Sequence, residues 1–241
     1  MAEQQTAKAI LFLDFDGTIS RRDAVDAILE AYADERWIEL EEEWRAERMG
    51  SRDCLQAQMA LVRATKRQLD ALLDEIGIDE GFARVLETCA AHNVPAHIIS
   101  DGLDYCIHRI LSRAGDALSS LMRGVRVCAS HFEPRGRVRR MEFPFFHQSC
   151  GHGCATCKPT VMRLLNTTNA PAIFVGDGLS DRYAVESADL VFAKKRLIEH
   201  CRKNSIEHIP FDHLAEVAAH LDRLLAQPVF MENEVKSRAS A

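Results

Sequence analysis

No run in the 241 residues comes near the ~20 consecutive apolar residues that a bilayer-spanning helix needs. The amino-terminal stretch MAEQQTAKAI has no basic segment followed by an apolar one, so no secretory signal is expected. Positive charge is in deficit, 30 Lys and Arg against 36 Asp and Glu. The resulting net charge of −6 argues against nucleic acid or an anionic membrane as a partner. Cysteine is sparse for a disulfide scaffold in a chain this long, with eight residues. Three of them cluster, which in a reducing compartment suggests metal or redox chemistry before disulfides. No internal repeat is visible. The expectation is a soluble, cytoplasmic, globular protein, monomer or homodimer. Its 47 % hydrophobic residues suffice for one sizeable core or a core with an inserted subdomain.

Short apolar runs at residues 10–13, 96–99, 172–175 and 190–192 are nearly continuous, as strands covered on both faces of a parallel sheet should be. Helical periodicities at 81–92, 105–114 and 160–165 separate them, which predicts an α/β fold built on a doubly wound parallel sheet. Residues 21–79 break the alternation. They hold helical patterns at 24–32, 37–48, 54–64 and 67–76 and almost no strand signal. A crossover needs one helix, so the surplus predicts a helical cap inserted after the first strand. The expected organisation is a core of residues 1–20 and 80–226, a cap of 21–79 and a polar tail of 227–241. Residues 124–142 read as a hairpin turning at Pro134 and Gly136. Gly50-Ser51 looks like a helix break with Ser51 as the N-cap.

The stretch AILFLDFDGTIS ends an apolar strand in two aspartates, Asp14 and Asp16. AIFVGDGLSD repeats the design with Asp177 and Asp181, so two strands aim four carboxylates at one region. Ligands of such sheets bind outside the strands' carboxyl ends. Four like charges in one cleft would repel and raise one another's pKa values. A hard divalent cation removes the conflict, and Mg²⁺ favours one or two carboxylates with other oxygens and water. Ser100 adds a hydroxyl at another strand end, and Lys158 precedes Pro159 at a helix start, where an ammonium joins unpaired amides to form an anion site. Metal, carboxylate, hydroxyl and lysine together suit a phosphoryl group. Singly, an Asp-Gly pair is a turn and a Lys-Pro pair a solvated charge; four such signals in order, each at its own strand end, are not.

DFDGT, ISDG, Lys158 and GDGLSD in this order and spacing resemble the four motifs of the haloacid dehalogenase-like superfamily, over residues 9 to 195. The insertion resembles that superfamily's first cap type. The resemblance implies a Rossmann-like core and phosphate-ester hydrolysis of a small phosphorylated metabolite. Asp14 would be the nucleophile, forming an aspartyl-phosphate, and Asp16 the general acid and base. Thr18, Ser100, Asp101, Gly102 and Lys158 would line the phosphoryl group. Mg²⁺ would lie among Asp14, Asp16 (through its carbonyl) and Asp177, with Asp181 behind them. Asp16 separates phosphatases and mutases from dehalogenases, which lack it. CGHGCATCKP and the segment SADLVFAKKRLIEHCRKNSIEHIPF are similar to the 2-hydroxy-3-keto-5-methylthiopentenyl-1-phosphate phosphatases of methionine salvage; phosphoserine and phosphoethanolamine/phosphocholine phosphatases resemble the chain more distantly. The salvage enzymes resemble SGG at the second motif, whereas this chain reads Ser100-Asp101-Gly102. An extra carboxylate there favours an amine or polyol substrate.

HQSCGHGCATCKP interleaves Cys150, Cys154 and Cys157 with His147 and His152, ligand types and a spacing compatible with structural zinc fixing the loop before Lys158. Reduced thiols packed beneath that loop, or a Cys154–Cys157 disulfide, are the alternatives. Arg22, Asp23, Glu30, Trp44, Arg52 and Met59 are cap residues that could face substrate. Two other readings stand beside phosphatase: a phosphoryl transferase or mutase, and a non-catalytic zinc- or partner-binding protein that keeps the fold.

Overall fold

The computed structural model describes residues 7–135 and 138–227. Among them, strands β1 (Ile10–Leu13), β2 (Ala96–Leu103), β3 (Val127–Arg135), β4 (Val138–Glu142), β5 (Ala172–Gly176), β6 (Leu190–Ala193) and β7 (Ile209–Pro210) form one sheet in the order β4-β3-β2-β1-β5-β6-β7. All neighbours pair in parallel except β3 and β4. β1 shows why its sequence is unbroken apolar: Leu11 and Leu13 enter the core layer on one face, Ile10 and Phe12 that on the other. The predicted α/β class and parallel sheet agree with the structure.

Helices α1 (Ala24–Tyr32), α2 (Trp37–Arg45), α3 (Ser51–Leu61) and α4 (Lys66–Leu73) follow β1 before the chain returns through α5 (Phe82–Ala91) to β2. The outgoing and returning segments touch at one place. Ser20 bridges Ile78, Arg21 N donates to Gly77 O at 2.9 Å, and Asp79 N donates to Ile19 O at 2.8 Å. Leaving β1 and re-entering at α5, the chain thus spans the helical excursion from a short two-stranded neck. The later helices are α6 (Asp104–Leu111), α7 (Gly115–Leu121), α8 (Lys158–Leu165), α9 (Arg196–Lys203) and α10 (Leu214–Leu225).

Three local expectations change. α3 begins at Ser51, not 54, and Gly50 holds the N-cap position in place of Ser51. α2 stops at Arg45, and the chain turns through Glu47 at φ +59°. β2 runs on through the Ser100-Asp101-Gly102 segment. The β3–β4 pair is the hairpin expected at 124–142, although Gly136 of its turn lies outside the described residues. Of the expected polar tail, residues 228–241 lie outside them as well.

Candidate active site

Asp14 emerges from the carboxyl end of β1, and its N–H donates to Val175 O at 2.9 Å, so the β1–β5 ladder extends to the residue that matters. The chain then reverses at Gly17, whose φ is +72°. A Cβ at Gly17 would lie 2.3 Å from Asp177 Oδ2, so glycine satisfies both the left-handed backbone and the close approach. β5 delivers Asp177, and a short helical turn at Leu179–Asp181 folds Asp181 back beneath it. Asp181 Oδ2 accepts N–H groups of Asp177 at 3.0 Å and Gly178 at 3.1 Å. Pro159 helps start α8, which places Lys158 at its first residue.

Lys158 is 1 % exposed. Its Nζ donates to Asp14 Oδ1 at 2.6 Å and to Asp181 Oδ1 at 2.5 Å, tying β1, β5 and α8 together. A second ammonium, Lys195 Nζ, donates to Asp177 Oδ2 at 2.9 Å and to Gly17 O at 3.2 Å. Asp16 points elsewhere. Its Oδ1 accepts Ala24 N at the start of α1, 2.9 Å away, and its Oδ2 accepts Ser100 Oγ at 3.4 Å. Ser100 Oγ accepts Gly102 N at 2.9 Å. The Thr18 hydroxyl donates to Asp177 Oδ1 at 3.4 Å.

Carboxylates outnumber the ammonium groups here, and the titration behaviour records it. Burial, then the charge of Asp181, raises Asp14 well above the ordinary carboxylate value, against the pull of Lys158. Burial pushes Asp16 up to about 7, with the Ala24 N–H opposing. Burial and Asp181 raise Asp177. Burial alone would depress Lys158, but Asp14, Asp181 and Asp101 outweigh it and hold the ammonium charged. Oxygen donors of Asp14, Asp177 and Asp181 all lie within 4.8 Å of one another, buried and only partly neutralised. An all-carboxylate set of that size fits a hard divalent cation.

Asp14, Asp16, Ser100, Gly102, Lys158, Asp177 and Asp181 thus converge from β1, β2, α8 and β5, with Thr18 beside them. The Asp101 carboxylate lines the cavity and is also engaged by protein: Oδ2 accepts Ser51 Oγ at 2.6 Å and Oδ1 accepts Thr156 N at 3.0 Å. Zinc finds no support. Among the described residues, the one group of three or more acidic, histidine or cysteine donors close enough to share an ion is Asp14, Asp177 and Asp181. His152 stacks on Tyr183 with ring centroids 3.8 Å apart, and His147 Nδ1 faces the Ser149 hydroxyl at 2.7 Å. Burial works against ionisation of Cys150, yet the N–H groups of Cys154 and His152 and the neighbouring thiols point at its sulfur and lower its pKa. Backbone amides of this loop thus converge on the free thiol of Cys150.

A cavity of about 430 Å³ opens between these residues and the helical insertion. Asp23 and Trp44 line it as anticipated. Arg22 instead pairs with Glu30, Arg52 pairs with Asp53 and lies over Phe146, and Met59 is buried. Lys195, Arg196, Glu41 and Gln58 reach the cavity without having been anticipated. Lys195 could have been found, since FAKK ends β6 and puts a charge at a fourth carboxyl end. Glu41 and Gln58 required the cap helices to be oriented, which periodicity alone does not do.

Gly102 offers a direct check on the Asp16 geometry. A Cβ there would sit 2.4 Å from Asp16 Oδ2 and 3.1 Å from Ser100 Oγ. Gly102→Ala is therefore expected to displace Asp16, and if Asp16 is the general acid that the sequence resemblance implies, to cut turnover on the order of a hundredfold. The thermal midpoint should fall only slightly. Full activity in the variant would show that Asp16 does not act from this position.

The family profile described as haloacid dehalogenase-like hydrolase matches residues 11–186. A 2-hydroxy-3-keto-5-methylthiopentenyl-1-phosphate phosphatase of Geobacillus thermodenitrificans (strain NG80-2) is 27 % identical over 218 residues, covering 89 % of this chain and 96 % of that protein. A protein of the same name from Exiguobacterium sp. (strain ATCC BAA-1283 / AT1b) is 26 % identical over 211 residues, covering 86 % and 94 %. Among solved structures, a phospho-aspartyl intermediate analogue of phosphoserine phosphatase aligns with a TM-score of 0.66 at 15 % identity, covering 89 % of this chain and 99 % of that one. A substrate-bound phosphoserine phosphatase aligns equally well, TM-score 0.66 at 16 % identity over 90 % and 99 %. At these identities the structural likeness speaks to the fold.

Proposed function

The chain belongs to the haloacid dehalogenase-like hydrolases, and on that premise we propose that it is a Mg²⁺-dependent phosphatase of a small phosphorylated metabolite, acting through an aspartyl-phosphate. The observation that carries this reading is the buried Asp14–Lys158–Asp181 bridge beside Asp177, with Asp16 poised near neutrality. Asp14, Asp177 and the carbonyl of Asp16 would hold the ion, with Asp181 behind them. The chemistry Mg²⁺ supplies when bound is charge neutralisation on the phosphoryl oxygens.

The chain's own groups account for the rest. A carboxylate oxygen of Asp14 forms a bond to phosphorus as the ester P–O bond breaks. Asp16, whose pKa of about 7 leaves much of it protonated near neutral pH, gives its proton to the departing oxygen. A water molecule then attacks the phosphorus of the acyl phosphate, Asp16 takes its proton, and Asp14 and inorganic phosphate are released. Lys158 holds negative charge steady throughout, and Ser100 fixes one face of Asp16. The helical insertion covers the cavity and limits water to the second step.

For substrate, we favour 2-hydroxy-3-keto-5-methylthiopentenyl-1-phosphate, the compound named for both relatives. Val25, Trp44, Cys54 and Leu55 give the cavity an apolar wall suited to a methylthio tail. Asp101 lines the same cavity while accepting hydrogen bonds from Ser51 and Thr156. Asp23 and Asp26 on the same cavity still favour a cationic end, which keeps phosphoserine and phosphoethanolamine as the second reading. All eight cysteines are free thiols, in keeping with a cytoplasmic setting. The experiment is phosphate release from a panel of these compounds and phosphocholine. Turnover should vanish with chelator and return with Mg²⁺, and the salvage intermediate should lead by kcat/KM. Chelator-resistant turnover would refute the metal assignment, and preference for an aminated substrate would select the second reading.

A further inference from the structure

Three segments far apart in sequence meet at the mouth of the cavity. Ser51 opens α3 in the helical insertion, Asp101 lies in β2, and Gly153–Thr156 form the loop that leads into Lys158. One hydroxyl and one carboxylate join them. Ser51 Oγ donates to Asp101 Oδ2 at 2.6 Å and accepts Ala155 N at 2.9 Å. Asp101 Oδ1 accepts Thr156 N at 3.0 Å. Arg52 N donates to Gly153 O at 3.1 Å. The backbones also touch: a Cβ on Gly50 would fall 2.6 Å from Gly153 O, and Gly153 itself turns at φ +61°. Residues 50–52 and 153–156 are therefore matched surfaces, glycine against glycine, with Asp101 clamped between them.

We propose that Ser51 and Asp101 are positioning residues that latch the helical insertion onto the loop presenting Lys158, so that closing the cavity and setting the lysine are one event. The assignment rests on the phosphatase reading only for its effect on turnover. Thr156 lies two residues before Lys158, and Lys158 bridges Asp14 and Asp181 with no slack. Lifting α3 breaks the Ser51–Asp101 bond and strips Ala155 N of its acceptor. The loop is then free to shift, and the lysine shifts with it. Conversely, an ordered lysine offers α3 a finished surface to close upon. Burial raises the pKa of Asp101 above the ordinary carboxylate value, with Lys158, the Ser51 hydroxyl and the Thr156 N–H pulling against it. The residue that departs from the SGG pattern thus joins the cap to the core at the rim of the cavity.

The test uses the full chain and the variants Ser51→Ala, Ser51→Thr, Asp101→Asn and the Ser51→Ala/Asp101→Asn double variant. Hydrogen–deuterium exchange without substrate should show Ala155, Thr156 and Arg52 amides opening on the order of tenfold faster in Ser51→Ala, with exchange in β5 unchanged. With Mg²⁺ and p-nitrophenyl phosphate, kcat/KM should fall on the order of tenfold in each single variant, recover in Ser51→Thr, and fall no further in the double variant, because one contact is removed once. Unchanged exchange at Ala155 and Thr156, or losses that multiply in the double variant, would overturn the latch. Exchange decides the matter even if wild-type protein hydrolyses no phosphomonoester, a result that would refute the phosphatase reading alone.

Discussion

Asp14→Asn should abolish Mg²⁺-dependent phosphate release, lowering kcat on the order of 10⁴-fold or more, because an amide oxygen cannot take the place of the attacking carboxylate. Stability should move the other way. Asp14 is 3 % exposed, and burial together with Asp181 makes its ionisation unfavourable in the native state. A neutral residue of the same shape relieves that repulsion, and Lys158 keeps Asp181 as a partner. Metal-free Asp14→Asn is therefore expected to melt no lower than wild type at pH 7, by calorimetry or circular dichroism. The combination of an intact fold and lost turnover separates a reacting group from a structural one. Activity within tenfold of wild type would end the nucleophile assignment.

Lys158→Met has the opposite signature, losing both functions. The variant leaves Asp14 and Asp181 buried without their shared cation, and breaking a buried pair costs about 3–5 kcal/mol. Loss of a fixed positive charge at the reacting phosphoryl group should also cost about 10²–10³ in kcat. The pH dependence follows from the sign of the shifts. Asp14 and Asp177 have pKa values raised above their unfolded values, so the native state holds protons that the unfolded chain has released. Such groups stabilise least at high pH: stability falls as pH rises from the unfolded value near 4 toward the raised native value. Removing Lys158, whose charge pulls Asp14 down, raises the native value of Asp14 further. The deficit of the chelated variant should therefore be widest near pH 8 and narrow toward pH 5, where a proton substitutes for the ammonium. A deficit independent of pH would show that Lys158 contributes packing and not charge.

Much of this site was legible because its chemistry sits at strand ends. An apolar run that stops in Asp-x-Asp, or in Gly-Asp-Gly, announces both a buried strand and the place where it meets solvent. That is how Asp14, Asp16, Asp177 and Asp181 could be grouped without coordinates. Lys158 was legible through Pro159, and the α/β class through the alternation of periods. What escaped had a common physical cause, namely dependence on partners distant in sequence. Asp101 reads as a free carboxylate until Ser51 and Thr156, 50 and 55 residues away, claim its oxygens. Cys150, Cys154 and Cys157 have a metal-like spacing, but spacing does not reveal that His152 turns toward Tyr183. Glu41 and Gln58 lie on helices whose rotation about their own axes is set by packing. α9, β7 and α10 carry weaker patterns, and α10 becomes necessary only when α5 is present to receive it.

The strand order has a consequence for endurance. β1 lies in the middle of the sheet with β2 and β5 on either side, whereas β4 and β7 form the margins. Under heat or mild denaturant a sheet peels from its margins inward. Asp14, the proposed nucleophile, therefore rides on a central strand, and fraying at the margins is expected to cost substrate fit before it displaces Asp14.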